Sequence, residues 1–380
     1  MPAVNKVKRE RMLILLVLCG AVSCMVCGLL MRYGHGSARR YGLSMPQRFH
    51  AGHVPRLGGV AMMLACTTGW AWIVNAEGLI GTSHQIKLSS GTALAWWGSV
   101  MVAVAGGVAE DVTHRLNATW RLLITLLAGV LATWSLGLSI PSLGVSFIQP
   151  WWSAMPWLGL ALAIFAVAGL PHAFNLIDGY NGLAGIVALI CSLALAYVSL
   201  LVGDRQLAAI AVVLAGSTAG FLLWNYPRGL IFAGDGGAYL WGVIIAMASV
   251  QLVQRYSSVS PWFPVLLLIY PVWETFFSIY RKLARGQSPG VADALHFHQL
   301  IYRRIVRGVF DEDDEARRML MRNNRTSPYL WGFTILTVIP AVLFWDNTHV
   351  LMFFAALFVV GYVWAYVSIV RFKVPRWLRR

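Results

Sequence analysis

The residues of this 380-residue chain that could do chemistry are few, and they fall in a handful of short stretches. Asn175-Leu-Ile-Asp178-Gly179-Tyr180-Asn181-Gly182 sets a carboxylate, two carboxamides and two glycines between two long apolar runs. Polar groups beside an apolar span carry a desolvation cost, which makes such a knot a candidate site. Asp-Gly and Asn-Gly are also ordinary turn punctuation. Glu110-Asp111 follows Gly106-Gly107. Adjacent carboxylates repel and need a cation away from water, so the pair suits a Mg2+-loaded site or proton transfer from a phosphate nucleophile. The plainer reading is a helix-end pair satisfied by Arg115, four residues after Asp111.

Phe232-Ala-Gly234-Asp235-Gly236-Gly237 opens another apolar run, with glycines that let backbone N–H groups approach a ligand. Asp235 there suits a metal bridging to a phosphate better than a bare phosphate, and Asn175 or Asp178 would supply a second oxygen. His296-Phe-His298 and Arg303-Arg304 lie in a basic segment beginning at Arg281. They fit contact with an anion that gains charge during reaction, or the basic face of an interfacial helix. His50, His53 and Arg56, before Gly58-Gly59, could hold a second anionic ligand or simply add positive charge. The acidic run Asp311–Glu315 reads as a solvated part of a loop.

The elements that must position these residues are membrane spans. The chain is 58% hydrophobic and 12% charged, with a mean hydropathy of +0.66; a soluble domain carries about twice that charged fraction. Apolar runs at 12–31, 57–76, 93–108, 122–140, 156–174, 183–202, 207–224, 237–253, 262–280, 329–345 and 348–370 are long enough to cross the hydrocarbon core. The expectation is an all-α, polytopic integral membrane protein of about eleven transmembrane helices, one domain over 1–380. All five cysteines fall inside apolar runs, which argues against a disulfide framework or a cysteine metal site. The run at 12–31 is expected to be retained as a span, not removed as a signal peptide.

Eleven spans put the loops at 32–56, 109–121, 175–182, 225–236 and 281–328 and the tail from 371 on one side. That side holds 23 of the 30 Lys and Arg residues, and the other holds 7. The positive-inside bias makes the first side cytoplasmic and leaves the N-terminus outside. Glu110, Asp111, Asp178, Asp235 and Asp293 fall in the same set of loops, with Glu274 near the matching end of the ninth span. The candidate residues therefore share one face. The net charge of +15 speaks to topology and anionic membrane lipid, with no nucleic-acid partner expected.

Carboxylates, close-approach glycines and Arg/His groups together describe phosphate chemistry at a membrane face. No Gly-x-Ser-x-Gly or Cys-His nucleophile and no Walker-type phosphate loop is present. The order of motifs resembles the polyprenyl-phosphate N-acetylhexosamine-1-phosphate transferases, a family that includes the phospho-MurNAc-pentapeptide transferases. The resemblance covers about 48–304. It rests on His50…Pro55…Gly58-Gly59, the acids 110–111, Asn175-x-x-Asp178-Gly-x-Asn181-Gly, Phe232-x-Gly234-Asp235 and Asp293-x-x-His296-x-His298.

It implies transfer of a sugar 1-phosphate from a UDP-activated amino sugar to polyprenyl (undecaprenyl) phosphate with release of UMP. Mg2+, or Mn2+ in its place, would be held at Asn175 and Asp235. Asn181 would contact uracil and Phe232 stack on it. Glu110 and Asp111 would stand near the acceptor phosphate, and Asp178 in the site's acidic network. His296, His298 and Arg303 of the long loop would hold the sugar-phosphate part, with His50 adding a second anion contact. The implied location is the inner (plasma) membrane with the site facing the cytoplasm, and the family leaves room for a homodimer. Gln299 stands where a third histidine would be, which favours the branch that starts glycan lipids such as O-antigen over the peptidoglycan branch.

Two rivals remain to be weighed. A secondary transporter would want acids at mid-span and related halves of the chain, whereas only Glu274 lies inside an apolar run and no repeat is visible. A CDP-alcohol phosphotransferase would need Asp-Gly-x-x-Ala-Arg, but Asp178-Gly179 continues as Tyr180-Asn181-Gly182.

Overall fold

Apolar runs in hydrocarbon must pair their backbone groups internally, and this chain does so with helices. The computed structural model describes residues 2–33, 54–79, 86, 88–286, 295–306 and 314–371. Its helices are α1 (Pro2–Tyr33), α2 (Gly58–Leu79), α3 (Ser90–Thr113), α4 (Ala118–Leu136), the short α5 (Gln149–Ala154), α6 (Pro156–Ile177) and α7 (Leu183–Leu201). There follow α8 (Arg205–Asn225), α9 (Gly234–Arg255), α10 (Trp262–Leu267), α11 (Ile269–Ala284), the single turn α12 (Phe297–Leu300), α13 (Glu315–Leu343) and α14 (Thr348–Val370). A π-helical turn, Ile301–Ile305, continues α12. Side-chain caps fix several starts: Asn117 accepts from Trp120 N–H at 3.0 Å and Asp204 from Leu207 N–H at 2.9 Å.

Among the described residues, nine helices are long and apolar enough by themselves to cross a membrane. The protein is thus all-α and multi-pass. The two expected spans outside that nine are α2, whose 22 residues include Thr67, Thr68, Gly69 and Asn75, and the run at 262–280, which is broken at Leu268 into α10 and α11. Pro271 explains the break. It has no N–H to give the carbonyl of Leu267, which instead faces the Cys191 thiol at 3.6 Å.

Helix α9 is the axis of the bundle. Every residue from Gly234 to Val253 is buried, and the helix packs against α2, α3, α4, α6, α7 and α8. At one end its N-terminus meets the segments 54–57, 110–117, 178–182 and 226–233. At the other, Gln254 donates to Gly137 O (2.8 Å), Arg255 pairs with Asp204 (2.9 Å) and Ser260 bonds Thr348 (2.7 Å). The segments expected to share a face therefore do meet at one end of the bundle.

Candidate active site

The site is built where α9 begins. Gly234, at φ +70°, turns the chain into the helix, and a side chain there would collide with the Asp111 carboxylate. The first N–H groups of a helix have no partner inside it, and here a neighbouring helix supplies one. Asp111, 3% exposed in the last turn of α3, accepts the N–H groups of Asp235 and Gly236, each at 3.0 Å. Its negative charge also sits at the positive end of the α9 dipole. That contact needs α3 and α9 to touch backbone to backbone. A Cβ on Gly107 would lie 2.5 Å from Gly236 N.

Two buried carboxylates cannot stand this close without cations, and two arginines supply them. Arg56 Nε lies 3.4 Å from Asp111 Oδ1, and its Nη2 lies 3.7 Å from Asp235 Oδ1. Arg121, from the first turns of α4, donates Nη1–H to Asp235 Oδ2 at 3.1 Å. Asn175, at the end of α6, donates Nδ2–H to Asp235 Oδ1 at 2.8 Å. Arg56 is held by pairing of its strand of backbone with the α8–α9 connection: Phe232 N–H donates to Pro55 O and Gly58 N–H to Phe232 O, both at 2.9 Å. Asp178, half-buried one residue past the end of α6, joins by charge. Loss of solvation pushes its carboxyl up to about 7, with Arg56 opposing the rise and Asp235 adding to it.

A second group lies across the 178–182 turn. His298, 2% exposed, faces Gly179, where a Cβ would come 3.3 Å from its Nε2. It meets Tyr180 edge-on at 5.6 Å and stacks on His296 at 5.3 Å. Tyr180 also packs on Tyr302 at 5.4 Å, and the Arg322 guanidinium sits 4.4 Å over that ring. Arg303 is exposed on the π turn and acts on Tyr180 by charge.

The structure thus gathers Asp111, Asn175 and Asp235 into one cluster with Asp178 beside it, and sets His298 against the same turn with His296 stacked on it. Two of the expected residues are taken up by protein partners. Glu110 accepts Leu116 N–H at 2.8 Å, which shapes the α3–α4 loop; among the described residues Arg115, the cation of the plainer reading, makes no ion pair with either acid. Both acids end a helix and do not lie in a loop. Asn181 is 1% exposed and acts as a staple. It donates Nδ2–H to Pro227 O (3.2 Å) and Asn324 Oδ1 (3.0 Å), donates its backbone N–H to Asn323 Oδ1 (2.8 Å), and accepts the Ser327 hydroxyl on its carbonyl (2.7 Å). Phe232 is half-buried beside Pro55. His50, His53 and Asp293 lie outside the described residues.

Reasoning from sequence missed Arg121, Asn323 and Asn324. Arg121 is 114 residues from its partner, and nothing local marks it beyond a basic residue near a helix start. Glu274, the one acid inside an expected apolar run, is taken up by protein partners: Phe297 N–H at 2.9 Å and Tyr362 Oη at 2.5 Å.

As a donor set, the α9 cluster fits a hard divalent cation. Asp235 and the Asn175 carboxamide meet at one point and offer two oxygens once the amide turns over, and such ions take one or two protein oxygens plus substrate phosphates. The positive groups around it suit phosphate.

Residues 93–253 match the model of glycosyl transferase family 4. The chain is 27% identical over 255 residues to a probable undecaprenyl-phosphate N-acetylglucosaminyl 1-phosphate transferase of Bacillus subtilis, with 66% of each chain covered. It is 31% identical over 280 residues to the decaprenyl-phosphate N-acetylglucosaminephosphotransferase of Mycobacterium leprae, again with 66% of each covered. It is 24% identical over 259 residues to the undecaprenyl-phosphate alpha-N-acetylglucosaminyl 1-phosphate transferase of Yersinia pestis, at 67% of each. The chain spans about two thirds of the length of these relatives. The matched region contains the whole α9 cluster except Arg56, and with it the chain belongs to glycosyl transferase family 4.

Proposed function

We propose that this protein transfers a sugar 1-phosphate from a UDP-activated N-acetylhexosamine to polyprenyl phosphate and releases UMP, as an Mg2+-dependent phosphoglycosyl transferase of the inner membrane. The observation that carries the reading is the convergence of Asp111, Asn175, Asp235, Arg56 and Arg121 on the start of α9, beside Asp178. The relatives' names support N-acetylglucosamine as the sugar and undecaprenyl or decaprenyl phosphate as the acceptor. The positive-inside count supports a cytoplasmic site, where nucleotide sugars are made. The product would start a cell-envelope glycan such as O-antigen.

Asn175 and Asp235 would hold the cation, and when bound it neutralises donor pyrophosphate charge. Arg56 and Arg121, already fixed by the two aspartates, would meet phosphate oxygens and the charge that grows on the leaving UMP. Asp111 stays bound to α9 and keeps Asp235 in place. An acceptor phosphate oxygen attacks the sugar-bearing phosphorus, the bond from that phosphorus to the bridging oxygen breaks, and UMP leaves with the electron pair. Asp178, poised near neutrality, suits removal of the acceptor phosphate's proton onto a carboxylate oxygen. His296 and His298 would contact the sugar-phosphate. Asn181 would shape the uridine side of the turn through its staple, with Phe232 against the base.

The test is purified protein with undecaprenyl phosphate, Mg2+ and a panel of UDP-sugars, following UMP. UDP-N-acetylglucosamine is expected to react, chelator to stop the reaction, and Mg2+ or Mn2+ to restore it. Asp235→Asn is expected to lower turnover by about a hundred- to a thousandfold, the scale of losing one preorganised charge contact, while the protein still inserts. Unchanged turnover in that variant, or UMP release indifferent to chelator, would overturn the reading.

A further inference from the structure

The His296–His298 segment is held from behind by groups that no substrate would touch. Helix α11 carries Glu274, Ser278 and Arg281 on one face, at the i, i+4, i+7 spacing that lines one side of a helix, and all three are buried. In a helix whose other faces expose Phe276, Ile279, Tyr280 and Leu283, a buried polar stripe needs internal partners. It has them. Glu274, 1% exposed, accepts Phe297 N–H on Oε1 at 2.9 Å and Tyr362 Oη–H on Oε2 at 2.5 Å. The same Oε1 lies 3.5 Å from His296 Nδ1. Arg281 donates to Leu295 O and to Tyr366 Oη, and its guanidinium lies 4.9 Å over the Tyr366 ring. Tyr362 and Tyr366 are one turn apart on α14, whose last carbonyls, Ile369 O and Val370 O, take Arg304 at 2.7 and 2.6 Å.

We propose that Glu274, locked by Tyr362, is a positioning residue for His296, which it turns so that Nδ1 faces the carboxylate and Nε2 is presented toward the site. The proposal rests on the reading that the histidine segment serves the transfer reaction. A carboxylate behind an imidazole fixes both the ring and the place of its proton. Here the carboxylate is itself fixed twice, by a backbone N–H next to the histidine and by a tyrosine of the last helix. His296 stacks on His298, which faces Gly179, so the clamp reaches the 178–182 turn through two rings. The other ionisable groups around Glu274 are Tyr270 on its own helix and His298 across from it.

Two measurements test this in intact protein in lipid nanodiscs. The first uses 15N-histidine labelling, with His296 assigned by its loss in His296→Gln. Without substrate, His296 is expected to carry a proton on Nδ1 in the wild type and to lose that preference in Glu274→Leu. A wild-type His296 protonated on Nε2 alone overturns the proposal, whatever the reaction turns out to be. The second is a kinetic cycle. Glu274→Gln is expected to lower kcat about tenfold, as loss of an orienting partner commonly does, with KM for the UDP-sugar within about twofold. In the His296→Gln background the same change is expected to cost less than about twofold, and Glu274→Asp to restore part of the rate. Equal losses in both backgrounds, or an unchanged kcat, overturn the positioning role. If Glu274 variants do not fold, Tyr362→Phe, which removes one hydroxyl, is expected to lower kcat about threefold with the same dependence on His296. Wild-type protein that releases no UMP counts against the proposed reaction, and the labelling result then decides the positioning role by itself.

Discussion

Asp111 commits its carboxylate to two backbone N–H groups at the start of α9, so its removal should be felt first as stability. Asp111→Ala leaves both N–H groups buried and unpaired, at about 1–3 kcal/mol each, whereas Asp111→Asn keeps one acceptor oxygen. The expected order of thermal midpoints in chelator is wild type, then Asn, then Ala; equal midpoints for the two variants would show that the cap contributes little. Asp178 makes an opposite demand. Its carboxyl sits at about 7 in the folded protein against an ordinary 3.8, so the folded state holds a proton that the unfolded chain has lost. Stability from this group is therefore present below about pH 4 and is lost as pH rises through about 7. Asp178→Asn never ionises, so its thermal midpoint without metal should gain on the wild type as pH is raised from 5 to 8. A constant gap would remove Asp178 from the buried charge group. At this scale the sequence was readable where residue type was scarce: with fifteen acids in 380 residues, Asp111, Asp178 and Asp235 stood out. It was unreadable where pairing is long-range, as for Arg121, or where a residue's own bonds enclose it, as for Asn181.

The helices decide how tightly these groups are held. Gly107 is where α3 and α9 touch, and the atoms that an added Cβ would meet are backbone, which cannot rotate aside. Gly107→Ala should cost about 1–3 kcal/mol as overpacking, and more in activity, because any retreat of α3 drags Asp111 off α9. Gly98, on the same helix, has nothing within 4 Å of its Cβ position. Gly98→Ala should be neutral or stabilising by up to about 1 kcal/mol from helix propensity. Thermal midpoints and UMP release for the pair would check this, and similar losses at both positions would sink the close-approach argument. Hydropathy located the apolar stretches because a span must be apolar along its length. It could not show that 262–280 divides at Leu268, since Leu266-Leu-Leu-Ile269 is unbroken in hydropathy and the missing N–H belongs to Pro271. Nor could it show that Glu110, Asp111 and Asn175 lie within helix ends, because polarity reports where hydrocarbon stops and helices run on past that point.

For the whole molecule, the question is which way the assembled end faces. The segments that meet at the start of α9 carry Arg56, Arg115, Arg121 and Arg228, while the far end has Asp204 paired with Arg255 and the uncharged Gln254–Gly137 contact. Basic loops are retained in the cytoplasm, so the α9 start should face inward and the α7–α8 turn outward. The distribution of Lys and Arg along the chain and the packing of the described helices sort the loops into the same two groups. A reporter fused after Gly286, where α11 ends on the site side, should read cytoplasmic, and one fused after Gly203 should read external. Accessibility of single cysteines at the same two positions, in a background without the five native thiols, gives an independent check, because those thiols lie in the helices. The reverse pattern from both methods would put the cluster on the outer face, away from UDP-sugars, and would remove the proposed reaction along with the topology.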